Sequence, residues 1–171
     1  MVNILTNDTP LEPKAETCLN DNFSGSKANF SGAQRFFKEK FCVYQFNYPK
    51  YNIFVNGKVG DYGNQEYHLK NPSSFVSYGS FYGSDNGETI IESGNGKENI
   101  LVIGESYDNA LLKLLASHFN KLYSIDLRTY QRENNKDFNY KKYVEENAID
   151  KVLFIGAKDF YSMKEFNVEV S

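Results

Sequence analysis

The chain has no tryptophan, and only two cysteines and two histidines among its 171 residues. That scarcity argues against a metal centre, because Cys18, Cys42, His68 and His118 show none of the close spacings that metal sites use. No metal or cofactor is therefore expected. A disulfide between the two cysteines fits an oxidising compartment, and two free buried thiols are the plainer reading. An excess of positive charge is also missing: 19 Lys and Arg stand against 22 Asp and Glu, for a net charge of −3. The basic residues form no stripe, which excludes the electrostatic footprint of a nucleic-acid binder. No apolar run approaches the roughly 18 residues of a membrane span. The first 20 residues carry Pro10, Pro13 and several acids in place of the basic start and apolar core of a signal peptide. The chain as given is expected to be soluble and to lack a leader; its oligomeric state is not legible.

What is present belongs to a globular protein. The length suits one domain with a real core. Apolar residues make up 40% and charged residues 24%, outside the disordered range. The 13 Tyr and 14 Phe are unusually many. Tyrosines in such number line sugar-facing surfaces or fill half-buried strands, and composition leaves both open.

The pattern changes near residue 97. Residues 1–22 read as an extended N-terminal segment, because Pro10, Pro13 and a run of Asn and Asp disfavour regular structure. Residues 23–171 form the main domain. Its first part is rich in Gly, Asn, Ser, Tyr and Phe, with a short helix over 33–41 and strands over 51–55, 65–69 and 89–92. The Asn56-Gly57 pair closes the first of these as a hairpin turn, and residues 78–87 form a Gly-rich loop. The regular half, 97–156, alternates strand and helix: strands over 99–104, 122–126 and 151–156, helices over 107–119 and 138–147. Asp108 falls in the first turn of the 107–119 helix, where it complements the dipole. Such alternation implies parallel pairing with right-handed crossovers. The expected fold is α/β, a three-layer sandwich around a mostly parallel sheet, SGNH- or flavodoxin-like, preceded by an irregular β-rich segment.

Ser106 is the residue on which chemistry would turn. It follows the apolar run of 99–104 in Gly104-Glu105-Ser106, and a strand, a sharp turn and a helix lift a hydroxyl clear of a sheet. Open parallel sheets bind ligands at the carboxyl ends of their strands. Asp126 and Arg128 stand at the next such end, and Gly156 at a third. The plainer alternative is that Ser106 only caps the following helix. A serine nucleophile needs a base within reach. His118, twelve positions on along one helix, would lie roughly 18 Å away. His68 stands in the irregular half and is the remaining candidate.

At this point the residues resemble a known family. Asn-Ile-Leu-Val-Ile-Gly-Glu-Ser-Tyr-Asp-Asn-Ala over 99–110, Leu-Ala-Ser-His-Phe over 115–119 and Ile-Asp-Leu-Arg-Thr-Tyr over 125–130 are similar to the SGNH-hydrolase-like DHHW proteins. These are relatives of alginate O-acetyltransferase catalytic domains. The stretch 138–155 continues the likeness, as do Phe-Ser-Gly-Ser over 23–26 and Phe-Tyr-Gly-Ser-Asp-Asn over 81–86. The resemblance spans about 20–156 and corresponds to the C-terminal portion of such proteins. It implies an SGNH-type fold with Ser106 in the nucleophile position. It also implies esterase or O-acetyltransferase chemistry on an acylated polysaccharide, in the cell envelope or outside the cell. The Ser106 amide with Gly25 or Gly83, and the side chain of Asn86, become candidates for the oxyanion site.

The chain departs from the family pattern twice. Glu105 replaces the usual Asp before the serine. The Asp-His-His-Trp block that supplies the family's catalytic Asp and His is missing, so the triad in this chain is incomplete. Either the chain is a piece of a longer protein or it has taken another role. Three readings stay open: an acyl-transfer or esterase domain, a catalytically silent carbohydrate-binding or scaffold domain using Tyr62 and the tyrosines of 78–82, and a flavodoxin-like module in which Ser106 is only a cap. The last lacks a dinucleotide fingerprint after its first parallel strand.

Overall fold

A computed structural model describes residues 1–23, 31–32, 39–60, 85–157 and 160. The expected strand at 65–69, most of the helix at 33–41 and residues 78–84 of the Gly-rich loop lie outside the described residues. Those described fall into two compact units.

The smaller unit contains β1 (Ala15–Phe23) and β2 (Glu39–Gln45), paired antiparallel. Residues 39–41 are thus strand where the sequence suggested the end of a helix. Cys18 faces Cys42 in this register, and the two form a disulfide. This corrects the expectation of free thiols. Two cysteines 24 positions apart carry no pairing signal until strand register sets them opposite each other.

The larger unit opens with a short helix, α1 (Val2–Thr6), where the sequence suggested only extended chain. Its sheet has six strands: β3 (Asn52–Val55), β4 (Lys58–Val59), β5 (Glu88–Glu92), β6 (Asn99–Gly104), β7 (Lys121–Ile125) and β8 (Lys151–Ile155). Their order is β4-β3-β5-β7-β6-β8. Only the β6–β7 and β6–β8 pairings are parallel, while β3–β4, β3–β5 and β5–β7 are antiparallel. The sheet is therefore mixed, not mostly parallel. The reason is local: Asn56 and Gly57 both take positive φ, 47° and 75°, the primed turn that folds β4 back on β3. That hairpin continues antiparallel into β5.

β6 lies between two parallel neighbours and buries every side chain from Ile100 to Ile103 completely, as its unbroken apolar run requires. Alternate residues point to opposite faces. Leu101 and Ile103 join Tyr123, Ile125, Tyr130, Tyr143 and Phe160 in one apolar cluster. Tyr130 belongs to α3 (Leu127–Asn134) and Tyr143 to α4 (Tyr140–Glu146), so these two helices cover that face. Truncating a fully buried aliphatic such as Ile103 to Ala costs about 2–5 kcal/mol. The helix expected over 107–119 is largely a chain of turns, with a single short helix, α2 (Leu112–Ala116). Leu112, Leu115 and Ala116 are buried, so the apolar spacing served packing without requiring a long helix. α3 escaped the sequence reading because its apolar face is short, with Tyr130 buried and Leu127 partly buried one turn before it.

Candidate active site

Parallel β6, β7 and β8 end along one edge of the sheet, and antiparallel β5 begins there, with Glu88 opposite Ile125. Four chain segments therefore meet at one rim: 85–87, 105–109, 126–128 and 156–157.

Ser106 stands on the second of these. The Asp108 amide donates to the Glu105 carbonyl at 2.9 Å, which makes Ser106 and Tyr107 the central pair of a tight turn. Ser106 is half-buried and Tyr107 exposed. Ser106 does not act as the N-cap of a helix, since α2 begins six residues later and its N-cap position is Leu111. Asp108 correspondingly does not complement a helix dipole. It is buried, with Oδ2 accepting a hydrogen bond from Ser124 Oγ at 3.3 Å.

The rim is held together by ions. Asp126 caps α3, accepting from the Arg128 amide at 2.9 Å, and this sends the Arg128 side chain back over its own carboxylate. Arg128 Nε and Nη2 donate to Asp126 Oδ1 and Oδ2 at 2.9 and 2.5 Å. This fork geometry is the strong form of an Arg–carboxylate pair. Nη2 also donates to Asp85 Oδ2 at 2.9 Å, and Nη1 lies 3.6 Å from Glu105 Oε2. The hydrogen bonds to Asp126, with the charges of Asp85 and Glu105 added, raise the guanidinium pKa still further. Glu105 has a second task. Its Oε1 accepts from the Ala157 amide at 2.6 Å, tying the serine turn to the chain leaving β8. Asn109 Nδ2 donates to Asp85 Oδ1 at 3.2 Å.

The 85–87 segment is pinned from behind. Gly87 donates its amide to Glu133 Oε2 at 2.6 Å and accepts from the Asp126 amide at 3.1 Å. A Cβ at Gly87 would sit 2.8 Å from Tyr130 Cα, so α3 comes this close only because the residue is glycine. Asn86 lies in this pinned segment, half-buried beside Asp85.

The structure thus brings Ser106, Asp126, Arg128 and Asn86 to the same edge. His68, Gly25 and Gly83 lie outside the described residues. His118 is far from the serine. It follows α2, and its neighbour Asn120 donates its amide to the Glu98 carbonyl, at the opposite end of β6. Six strand residues, roughly 20 Å, separate the two ends. His118 Nδ1 instead lies 3.4 Å from Asp8 Oδ2. Sequence reasoning overlooked Asp85, Ser124 and the bridging part of Glu105. The only signal for Asp85 was the Phe-Tyr-Gly-Ser-Asp-Asn block.

Solved structures with this architecture exist. Bacillus cereus PatB1 carrying a sulfonyl adduct aligns with a TM-score of 0.67 and 22% identity, over 94% of this chain and 55% of that one. A second PatB1 structure aligns at 0.64 and 23%, over 91% and 52%. A DHHW family protein from Eubacterium siraeum aligns at 0.61 and 20%, over 86% and 49%. The chain shares their fold. It spans about half the length of the solved proteins it matches. No protein-family model and no curated protein matches the sequence. A protein described as a DHHW family member is thus among the solved structures that share this chain's fold.

Proposed function

We propose that this chain is an SGNH-like acyl-transfer domain, with Ser106 in the nucleophile position and residues 23–171 built as a three-layer domain of that type. The observation that carries the reading is the placement of Ser106 on a tight turn at the carboxyl end of β6, flanked by the ends of β7 and β8. That edge is where open α/β sheets bind ligands. PatB1, with the same fold, has been solved carrying a sulfonyl adduct, and sulfonyl groups trap nucleophiles.

In the proposed reaction Ser106 Oγ attacks the carbonyl of an acyl ester, most simply an acetyl ester of a polysaccharide. Its proton passes to a base as the Oγ–C bond forms, and the ester C–O bond breaks to release an alcohol. The acyl group then leaves to an acceptor hydroxyl, as in O-acetyl transfer, or to water, as in an esterase. The amide of Ser106 and the Asn86 side chain support the oxyanion, together with Gly25 or Gly83. His68 is the one histidine in the sequence not already placed at the far end of β6. If another part of a longer protein supplies the base, the triad in this chain is incomplete.

The location that fits this chemistry is the cell envelope or beyond it. A Cys18–Cys42 disulfide persists in oxidising compartments and not in a reducing cytosol. Among the described residues no helix is long and apolar enough to cross a membrane.

An activated acetyl ester tests the proposal. Turnover by the intact chain that disappears in Ser106→Ala supports it. Equal turnover by wild type and variant sinks it. In that case polysaccharide retention that survives Ser106→Ala would favour the silent carbohydrate-binding reading.

A further inference from the structure

Asp108 has a place in the fold that the acyl-transfer reading leaves unused. Its amide closes the turn carrying Ser106, and its carbonyl accepts from Leu111 at 2.7 Å. Its carboxyl reaches back under that turn to the two central parallel strands. There it meets Ser124 Oγ of β7 and lies so close to Gly104 of β6 that a Cβ on Gly104 would overlap Oδ2. The same Cβ would sit 3.0 Å from the Ile155 carbonyl oxygen, so β6 leaves no room for a side chain at this position on the β8 side either. The carboxyl resting on Gly104 and Ser124 thus belongs to the residue whose amide closes the turn, two positions from the serine.

We propose that Asp108 is the positioning residue of the Ser106 turn: its amide closes the turn, and its carboxyl, held by Ser124 Oγ beside Gly104, seats it on β6 and β7. A charge on that carboxyl would loosen the seat. The proposal rests on the acyl-transfer reading for its consequence, though not for its geometry.

The surroundings favour the neutral form. Burial pushes the carboxyl pKa up to about 7 against the lowering effect of the Ser124 hydroxyl. Among the described residues, the charges facing it are Asp126 after β7 and Asp85 ahead of β5, which oppose ionisation, and Arg128 of α3, which favours it. Glu105, on the same turn, is occupied by Ala157 and Arg128. A neutral acid avoids that repulsion, whereas a carboxylate brings a third negative charge near Asp126 and Asp85 in a buried site.

The test uses the full chain as wild type, Asp108→Asn and Ser124→Ala. Asparagine mimics the neutral acid in shape and cannot ionise. Exchange of the backbone amides at position 108 and at Leu111 is compared at about pH 5.5 and about pH 8.5, on either side of the raised carboxyl pKa, so that the intrinsic pH dependence cancels between proteins. The wild-type rate relative to Asp108→Asn should rise about tenfold or more between the two pH values. In Ser124→Ala that rise should move to higher pH, because a group favouring the carboxylate is gone. A ratio that stays constant with pH overturns the proposal. Sulfonyl fluoride labelling of Ser106 is followed in parallel, and its pH profile in wild type should differ from that in Asp108→Asn over the interval in which Asp108 ionises. An exchange ratio that rises without any Ser106 labelling sinks the acyl-transfer reading and leaves Asp108 as the seat of the turn. Labelling with a flat ratio does the reverse.

Discussion

Glu105 Oε1 accepts the Ala157 amide at 2.6 Å, joining the turn that carries Ser106 to the residue two positions past the end of β8. The bond crosses between parallel neighbours and is shielded, with the Glu105 side chain only 12% exposed. Glu105→Ala should therefore cost about 1–3 kcal/mol, since a half-buried amide loses its acceptor. Glu105→Gln, which keeps an oxygen for Ala157 and loses only the charge facing Arg128, should cost less. Denaturant unfolding of both variants checks the order, and equal losses would show that the charge, not the bridge, matters.

Arg128 holds three carboxylates from three segments, so Arg128→Ala leaves Asp126, Asp85 and Glu105 to repel one another. A loss of roughly 1–3 kcal/mol is expected, moderated because the side chain is about a third exposed. The Asp108 carboxyl should titrate at higher pH in this variant, because Arg128 favours its charged form. A lower or unmoved midpoint would remove Arg128 from the electrostatics of the turn.

Stability should depend on pH through Asp108. Its folded pKa, about 7, stands above the ordinary 3.8. Below the ordinary value this group is protonated in both states and costs the fold nothing. As pH rises from about 4 to about 7 the unfolded chain loses this proton and the folded one retains it, so stability falls. The loss is of the order of 4 kcal/mol if this group acts alone. Asp108→Asn should remove that part of the decline, as urea unfolding of both proteins across this interval would reveal. Parallel curves would contradict it.

Reducing the Cys18–Cys42 disulfide should lower the stability of the β1–β2 unit by about 3 kcal/mol, from loop closure across 24 positions. Unfolding with and without reductant measures this. An unchanged midpoint would mean that the hairpin needs no cross-link.

The sequence announced the strands of the larger unit well, because Ile100 to Ile103 is an unbroken apolar run of the kind buried strands carry, and Leu122, Tyr123 and Ile125 supply most of the next strand. Asn56-Gly57 declared its hairpin for an equally local reason, its tolerance of positive φ. Harder to read were features set by partners distant in the chain. The antiparallel insertion of β5 beside β7 depends on register between segments well separated in sequence, such as Glu88 and Ile125. α3 turns only Tyr130 and Leu127 toward the core, too short an apolar face to announce a helix. At the site, Ser106, Asp126 and Arg128 were legible because each follows a strand end. Asp85 and Ser124 were not, since an aspartate in a glycine-rich loop and a serine within a strand acquire meaning only once β5, β6 and β7 are side by side.

Whether Ser106 is a nucleophile is read out by where a sulfonyl fluoride attaches. Peptide mass spectrometry of the treated chain should find the adduct on Ser106, and Ser106→Ala should remain unmodified at that turn. An adduct only on surface tyrosines or lysines, at equal levels in both proteins, would contradict the account.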